Sequence, residues 1–487
     1  MGKQTDRPLL ELLRDYAASP AVPLHMPGHK RNTSLLGKEL PYALDITEID
    51  GFDNLHEAEG ILAGGMARAA ALYGSGRAFY LVGGSTAGIL AGIRAATRPG
   101  DRVIVARNCH RSVYHALELC RLRPCYLTPP AIEGAGICGS IPVDQARKRL
   151  KEFPDARLVV VTSPTYEGVL SDVEGLARLC HERGIPLMVD EAHGAHLGWE
   201  PFPSGAVAAG ADLVVHSLHK TLPSLTQTGL LHVSGCRIDP LEVERQLAVF
   251  QTSSPSYPLM ASIDRCVRLM AGMGNQWMKD YAGRLARFDC QAASLRHLSI
   301  FGHTGKLPSE AFGFDPGKIL ICCRGIILGA SPLTGVRLAD ILRRDYRIET
   351  EMASAAGVLA MTSLCDSDDT FERLAQALAA IDGACEFRPK ALGTEQPLPP
   401  VPEQVLPMEE ALGAFHAFLP LEQCEGSVSA EYVWAYPPGV PLLAPGEKIT
   451  DDFVRFVRCT IEQGVTLHST TRHLPGALRV CASPKKG

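Results

Sequence analysis

No stretch of the chain approaches the roughly 18 consecutive apolar residues that a membrane-spanning helix requires. The opening MGKQTDRPLLELLRDYAASP holds no apolar core flanked by a cleavage site, so export is not expected either. Its MG start lacks the Ser or Thr that a myristoylation signal carries at the position held here by Asp6. Positive charge is not in excess: 48 Lys and Arg against 53 Asp and Glu leave a formal net charge of −5, with the signs mixed. That balance excludes a basic face for nucleic acid and a polybasic segment for an anionic membrane. The 15 cysteines are odd in number and show no paired spacing, which argues against a disulfide framework and for reduced thiols in the cytoplasm. No internal repeat or low-complexity tract is evident. A cytoplasmic protein that acts on a small molecule is the expectation left standing.

What the chain does have is a series of apolar runs that are continuous rather than alternating: FYLV (79–82), RVIVA (102–106), RLVVVTSP (157–164), IPLMVD (185–190) and ADLVVHS (211–217). Such runs read as strands buried on both faces. Helical patterns lie between them. STAGILAGIRAAT follows the first run, and SDVEGLARLCHERG opens with Ser171 and Glu174 in capping-box spacing and stops at Gly184. The alternation predicts an α/β fold, a mostly parallel sheet with helices on both faces, over residues 55–300, after an N-terminal segment 1–54. A smaller α/β domain, 301–387, collects KILICC, GVRLADILRRDY, GVLAMTSL and DDTFERLAQALAAI. Cys322 and Cys323 in that first run read as small core residues. RPKALGTEQPLPPVPEQVLP reads as a linker into a C-terminal domain, 388–487, with a helix-like MEEALGAFHAF and a closing helix.

Ligands of open parallel sheets sit beyond the carboxyl ends of the strands, so the residues that follow each run carry the chemistry. After FYLV comes GGSTAG (83–88), glycines and hydroxyls opening a helix, which suits a phosphate. RVIVA is followed by His110. Asp190 ends the IPLMVD run, a costly place for a carboxylate unless it meets a cation or hydrogen-bond donors. ADLVVHS is followed by Lys220. One ligand uses all four features: pyridoxal phosphate, whose aldehyde forms a Schiff base with a lysine, whose ring nitrogen needs a carboxylate and whose phosphate needs a helix N-terminus. His110 is placed to stack on the ring. A metallohydrolase is the competing reading, from His25 and His29 in HMPGH, His193 and His196 in HGAH, and His216 and His219 in HSLH. Only HMPGH has the zinc-helix spacing, and Pro27 and Gly28 argue against a helix there. A non-catalytic binding protein would not need both Asp190 and Lys220.

The motifs LHMPGHKRN, FDNLHEAEGIL, RNCHRS, SPTYEGV, VDEAHGAHLGW, HSLHKTLPSLTQTG and YPPGVPLLAPGE together resemble the Orn/Lys/Arg decarboxylase family of fold-type I pyridoxal-phosphate enzymes. They run in the family's order from about residue 22 to residue 447. The resemblance implies that Lys220 is the Schiff-base lysine, Asp190 the partner of the ring nitrogen and His110 the ring-stacking residue. It makes Ser85, Thr86, Ser217 and His219 phosphate-side contacts. QTSSPSY resembles the family's stretch that reaches the neighbouring subunit's phosphate, which implies Thr252 or Ser253 as the donor. The resemblance also implies that His193, just past Asp190, touches the cofactor's phenolic oxygen or the substrate carboxylate. The chain departs from the pattern at VGGST, where an Asn often precedes the glycine that is Gly84 here, and in the tail after GVTLHST.

The length resembles the short bacterial members, which lack an N-terminal receiver-like domain, and so implies a biosynthetic role in polyamine formation and a homodimer with the active site at the subunit interface. Decarboxylation would end with a proton returned to Cα by His219 or Lys220. The distal cation of the substrate calls for a carboxylate: Glu431 in SAEYVWAYPPG, with Asp53 or Glu57 as the alternatives or as surface residues. Arginine is the first choice of substrate, then lysine or ornithine. Other fold-type I reactions, transamination or aldol cleavage, would use the same lysine and aspartate.

Overall fold

Strands that are apolar on both faces stay out of water only if helices cover them above and below, and the chain is arranged accordingly. The computed structural model describes residues 6–303, 306–388, 400–436 and 438–482. Residues 389–399, most of the expected proline-rich linker, lie outside them. The chain divides into two compact units, each assembled from separated stretches: Met1–Thr97, Arg157–Ser163 and Val173–Asp280 form one, and Arg98–Ala156, Pro164–Asp172 and Tyr281–Gly487 form the other.

The first unit holds strands β1 (Arg77–Leu81), β2 (Leu158–Thr162), β3 (Leu187–Asp190), β4 (Leu213–Ser217) and β5 (Gly229–Val233) in the spatial order β1-β5-β4-β3-β2. β2, β3 and β4 are parallel neighbours. β5 pairs antiparallel with both β4 and β1, so it alone opposes the other four. Four of the five follow runs read from the sequence. β5 was not expected, because GLLHV stands only eleven residues after β4, too close for a helical crossover and the right distance for a reversal. The helix Gly84–Ala96 lies on this sheet at close range. A Cβ at Gly88 would stand 2.6 Å from Leu81 Cδ1, and one at Gly92 3.1 Å from Met188 Cε. Two glycines four residues apart share one helix face, and their missing side chains allow the approach.

In the second unit Arg102–Ala106 and Arg123–Leu127 form a parallel pair followed and preceded by the helix Arg111–Leu119. A four-stranded sheet, ordered Ser299–Phe301, Lys318–Cys322, Gly357–Met361, Met352–Ala353, is entirely antiparallel and carries the helices Gly335–Tyr346 and Asp368–Asp382. Cys322 and Cys323 are buried in it, and no disulfide joins cysteines among the described residues. The last part of the chain packs Phe453, Phe456 and Val457 of the helix Asp451–Glu462 against Val433, Leu443 and Leu478. MEEALGAFHAF is not one helix: the helix stops at Gly413, and His416–Pro420 becomes a strand paired with Ala477–Cys481. Its alternating exposure is the period-2 pattern of a half-buried strand, which a short apolar run conceals. That pairing also places two strands, Leu467–Ser469 and Ala477–Cys481, after the helix expected to close the chain.

Candidate active site

Register aligns the ends of three strands. Leu81 at the end of β1 is opposite Gly229, and Gly229 is opposite Ser217 at the end of β4. Asp190 at the end of β3 pairs with Val215. The segments that leave β1, β3 and β4 therefore start from one edge of the first unit's sheet, and they bear Ser85 and Thr86, Asp190 and His193, and Ser217, His219 and Lys220.

Lys220 lies in the short helix Leu218–Thr221 directly after β4. Its Nζ donates to His193 Nε2 at 3.0 Å. Asp190 is 3% exposed and accepts from the Ala192 amide at 3.2 Å. Burial pushes its carboxyl above the ordinary value, while the Lys220 charge and the Ala192 N–H pull it back. His219 Nδ1 donates to the Thr228 carbonyl at 2.9 Å, which leaves Nε2 as the basic nitrogen. Burial lowers the His219 pKa and Lys220 adds to the drop, so near neutral pH the ring is uncharged.

At the end of β1 the helix Gly84–Ala96 starts without a side-chain cap, and Gly84 has φ +72°, a left-handed conformation that favours glycine. Two residues that the sequence reading missed hold this loop. Gln227 accepts the Gly84 N–H on its backbone carbonyl (3.0 Å) and donates its side-chain amide to the Val82 carbonyl (2.6 Å). Gln251 accepts the Val82 N–H (2.8 Å) and donates to the Tyr80 carbonyl (3.3 Å). Their only sequence signal is an amide side chain shortly after a strand or helix end, too common to single them out.

Thr252 and Ser253 are exposed. Thr252 Oγ1 accepts the Ser254 N–H at 3.2 Å, and its carbonyl meets His56 Nε2 at 2.9 Å. Asp53 caps the helix Ile61–Tyr73, accepting the N–H groups of Glu59 (3.0 Å), Gly60 (2.8 Å) and Leu62 (2.9 Å), and Glu57 is exposed. His110 and Glu431 belong to the second unit. His110 caps the helix Arg111–Leu119, its Nδ1 accepting from the Ser112 amide (3.2 Å) and meeting the Ser112 hydroxyl (2.8 Å). Glu431 is 0% exposed; one carboxylate oxygen accepts the Thr471 N–H (3.0 Å) and hydroxyl (2.7 Å), the other the Arg479 N–H (2.6 Å). It borders a cavity of about 310 Å³ with Arg111, His115, Glu118 and Trp434.

The residues present in the first unit fit pyridoxal phosphate. Ser217 Oγ is fully buried and has no hydrogen-bond partner among the described residues, as a hydroxyl reserved for a bound phosphate would be. An uncapped helix start and a buried carboxylate within electrostatic reach of a lysine complete the set. Among the described residues no group of three His, Cys, Asp or Glu side chains is arranged to hold a metal, and no helix is long and apolar enough to cross a membrane. His25 and His29 are instead bonded to Tyr16 (2.7 Å) and Asp45 (3.2 Å).

Comparison with known proteins identifies the family and the fold. Residues 7–306 match the family model described as Orn/Lys/Arg decarboxylase, major domain, and residues 403–476 the C-terminal domain of the same family. The arginine decarboxylase of Bacillus subtilis strain 168 is 29% identical over 491 residues, 99% of each chain. That of Halalkalibacterium halodurans is 30% identical over 475 residues, 94% of each. In fold, the crystal structure of the Francisella novicida lysine decarboxylase LdcF superposes with a TM-score of 0.83 at 20% identity, covering 98% of this chain and 81% of that one. The α/β architecture is that of the fold-type I enzymes, and the chain belongs to the Orn/Lys/Arg decarboxylase family.

Proposed function

We propose that this chain removes the α-carboxylate of a basic amino acid, arginine first and lysine or ornithine next, with pyridoxal phosphate as cofactor. The observation that carries the reading is the lysine at the end of β4, 3.0 Å from a histidine and within the field of a buried aspartate. Arginine is preferred because relatives matching over nearly the whole chain bear that name. Lys220 would carry the cofactor, Asp190 its ring nitrogen, and the Gly84–Thr86 segment with Ser217 its phosphate. The resemblance assigns His110 to the ring face, and Thr252 or Ser253, both exposed, to the phosphate of a neighbouring copy. When bound, the cofactor supplies a sink for the electron pair left at Cα as carbon dioxide departs.

The chain's own groups supply the rest. Burial raises the Asp190 pKa, and the Lys220 charge and the Ala192 N–H oppose the rise; a protonated ring nitrogen beside it would add a further cation that favours the carboxylate. His193 Nε2 is within hydrogen-bond distance of Lys220 Nζ and is placed to take a proton from the ammonium, freeing the amine. A proton can return to Cα from Lys220 Nζ as its ammonium, or from His219 Nε2 once that atom, a lone pair on a ring uncharged near neutral pH, has first taken one up. A cytoplasmic homodimer feeding polyamine synthesis fits this chemistry.

The test is carbon dioxide release with parallel amine detection from arginine, lysine and ornithine, each offered separately to the purified protein with added cofactor. Release from one of them identifies reaction and substrate. No release from any, with the cofactor visibly bound, would overturn decarboxylation and leave transamination or aldol cleavage. Asp190→Asn should keep the colour of the bound cofactor and lose most turnover.

A further inference from the structure

β3 and β4 are apolar on both faces, LMVD and LVVHS, and every residue of each is buried. Side chains of the same kind face both ways, so the hydrophobic pattern alone does not distinguish the correct pairing from one slipped by a residue. Such a slip would be ruinous here, since Asp190 and Lys220 reach the site only from the correct register. A directional polar contact is what distinguishes the two pairings.

Glu191, the residue after Asp190, is 2% exposed and His216, the next-to-last residue of β4, is 1% exposed. His216 Nε2 meets Glu191 Oε2 at 2.8 Å. The Glu191 amide donates to the Val215 carbonyl (3.0 Å), and its carboxylate accepts the Ala206 N–H on both oxygens (2.9 and 3.1 Å). Its carbonyl accepts the Gly194 N–H (2.9 Å), closing the turn that presents His193. One residue thus touches the two segments that bear Asp190, His193 and Lys220: Asp190 by adjacency, His193 through the turn, Lys220 through the strand that leads to it. Tyr73 and His232 wall the pair in, with ring centroids 4.7 and 4.9 Å from that of His216. A buried acid and imidazole gain little stability over apolar residues of equal volume, and fixing register is the best attested use of such a pair.

We infer that the Glu191–His216 pair is a register lock, two positioning residues that set Asp190 and His193 against Lys220. The inference rests on the site assignment above. The experiment compares Glu191→Ala, Glu191→Gln, His216→Phe and the Glu191→Ala/His216→Phe double variant as holoenzymes. Readouts are kcat and KM separately, the visible circular dichroism of the bound cofactor, and the melting temperature. Glu191→Ala and His216→Phe should each lower kcat by roughly 10- to 100-fold, the cost of a misplaced group, with KM little changed and the dichroic band weakened. Glu191→Gln, isosteric and able to keep both contacts, should restore them. The double variant should fall no further than the single ones. Wild-type kcat and dichroism with only a lower melting temperature, or losses that multiply in the double variant, would overturn the inference. Should Glu191→Ala not fold, His216→Phe, which fills the volume, decides alone. A Lys220→Ala control separates the two claims: if borohydride still fixes the cofactor to that variant, the site assignment fails, whatever the Glu191 variants do.

Discussion

Lys220 and His193 meet at 3.0 Å, an ammonium against an imidazole nitrogen, on segments that leave adjacent parallel strands. The contact predicts that His193→Ala slows turnover by roughly 10²-fold, the lower end of what a positioned proton acceptor contributes. Cofactor should still bind, because the groups proposed to hold its phosphate are untouched. Steady-state kinetics beside the visible spectrum checks this, and unchanged turnover would remove His193 from the chemistry.

Gln251 makes two hydrogen bonds to the end of β1. At about 1 kcal/mol each, losing both in Gln251→Ala should weaken cofactor affinity by roughly 10- to 30-fold. Titrating the apoprotein with pyridoxal phosphate measures it. An unaltered dissociation constant would mean that the loop holds its shape without the clamp.

How much of this was legible beforehand depends on the range of the interaction. Asp190 and Lys220 are visible in the sequence because a charge directly after a buried apolar run is an anomaly that needs explaining. Gln227 and Gln251 are invisible because each acts on a strand end more than a hundred residues away, and an amide side chain there looks like any loop residue. Glu191 falls between the two: a second acid after Asp190 is odd, but its partner His216 lies in another strand. β5 escaped notice because a short apolar stretch states no direction, and the composition of each unit from separated stretches leaves no trace in local patterning.

Gly88 and Gly92 give a packing test. Gly88→Ala sets a methyl 2.6 Å from Leu81, itself fully buried, and overpacking should cost about 1–3 kcal/mol, partly offset by better helix propensity. Gly92→Ala meets the flexible end of Met188 and should be near neutral. Thermal denaturation of the pair checks the order, and equal melting temperatures would refute it.

Glu431 accepts hydrogen bonds from both Thr471 and the Arg479 amide. Glu431→Gln must leave at least one acceptor position filled by an NH2, so the melting temperature should fall by roughly 3–6 °C. If Glu431 also reads the substrate's distal cation, KM for arginine rises as well. A rise in KM with no change in melting temperature would show that these three bonds matter less than the substrate contact.

His232 is fully buried, and burial lowers its pKa well below the ordinary value. Below about pH 6.5 the unfolded chain takes up a proton that folded His232 refuses, so stability falls on acidification, by at most about 1.4 kcal/mol per pH unit for one group. Glu191, whose pKa burial raises, has the opposite sign: its contribution declines as pH rises through the window above the ordinary carboxylate value. His232→Asn should therefore melt with a shallower pH dependence than the wild type between pH 7 and pH 5. An equal slope would place the His232 pKa near that of a solvated histidine.

The peptide of Val82 has both its N–H and its carbonyl bonded by glutamine side chains 169 and 145 residues further along the chain. During synthesis the glycines and hydroxyls of the proposed phosphate loop therefore leave the ribosome long before the residues that shape it. A chain halted short of Gln227 contains Gly83, Gly84, Ser85 and Thr86 without the clamp that orders them. Uptake of the cofactor would then mark the completion of this unit, a chemical timestamp on its folding.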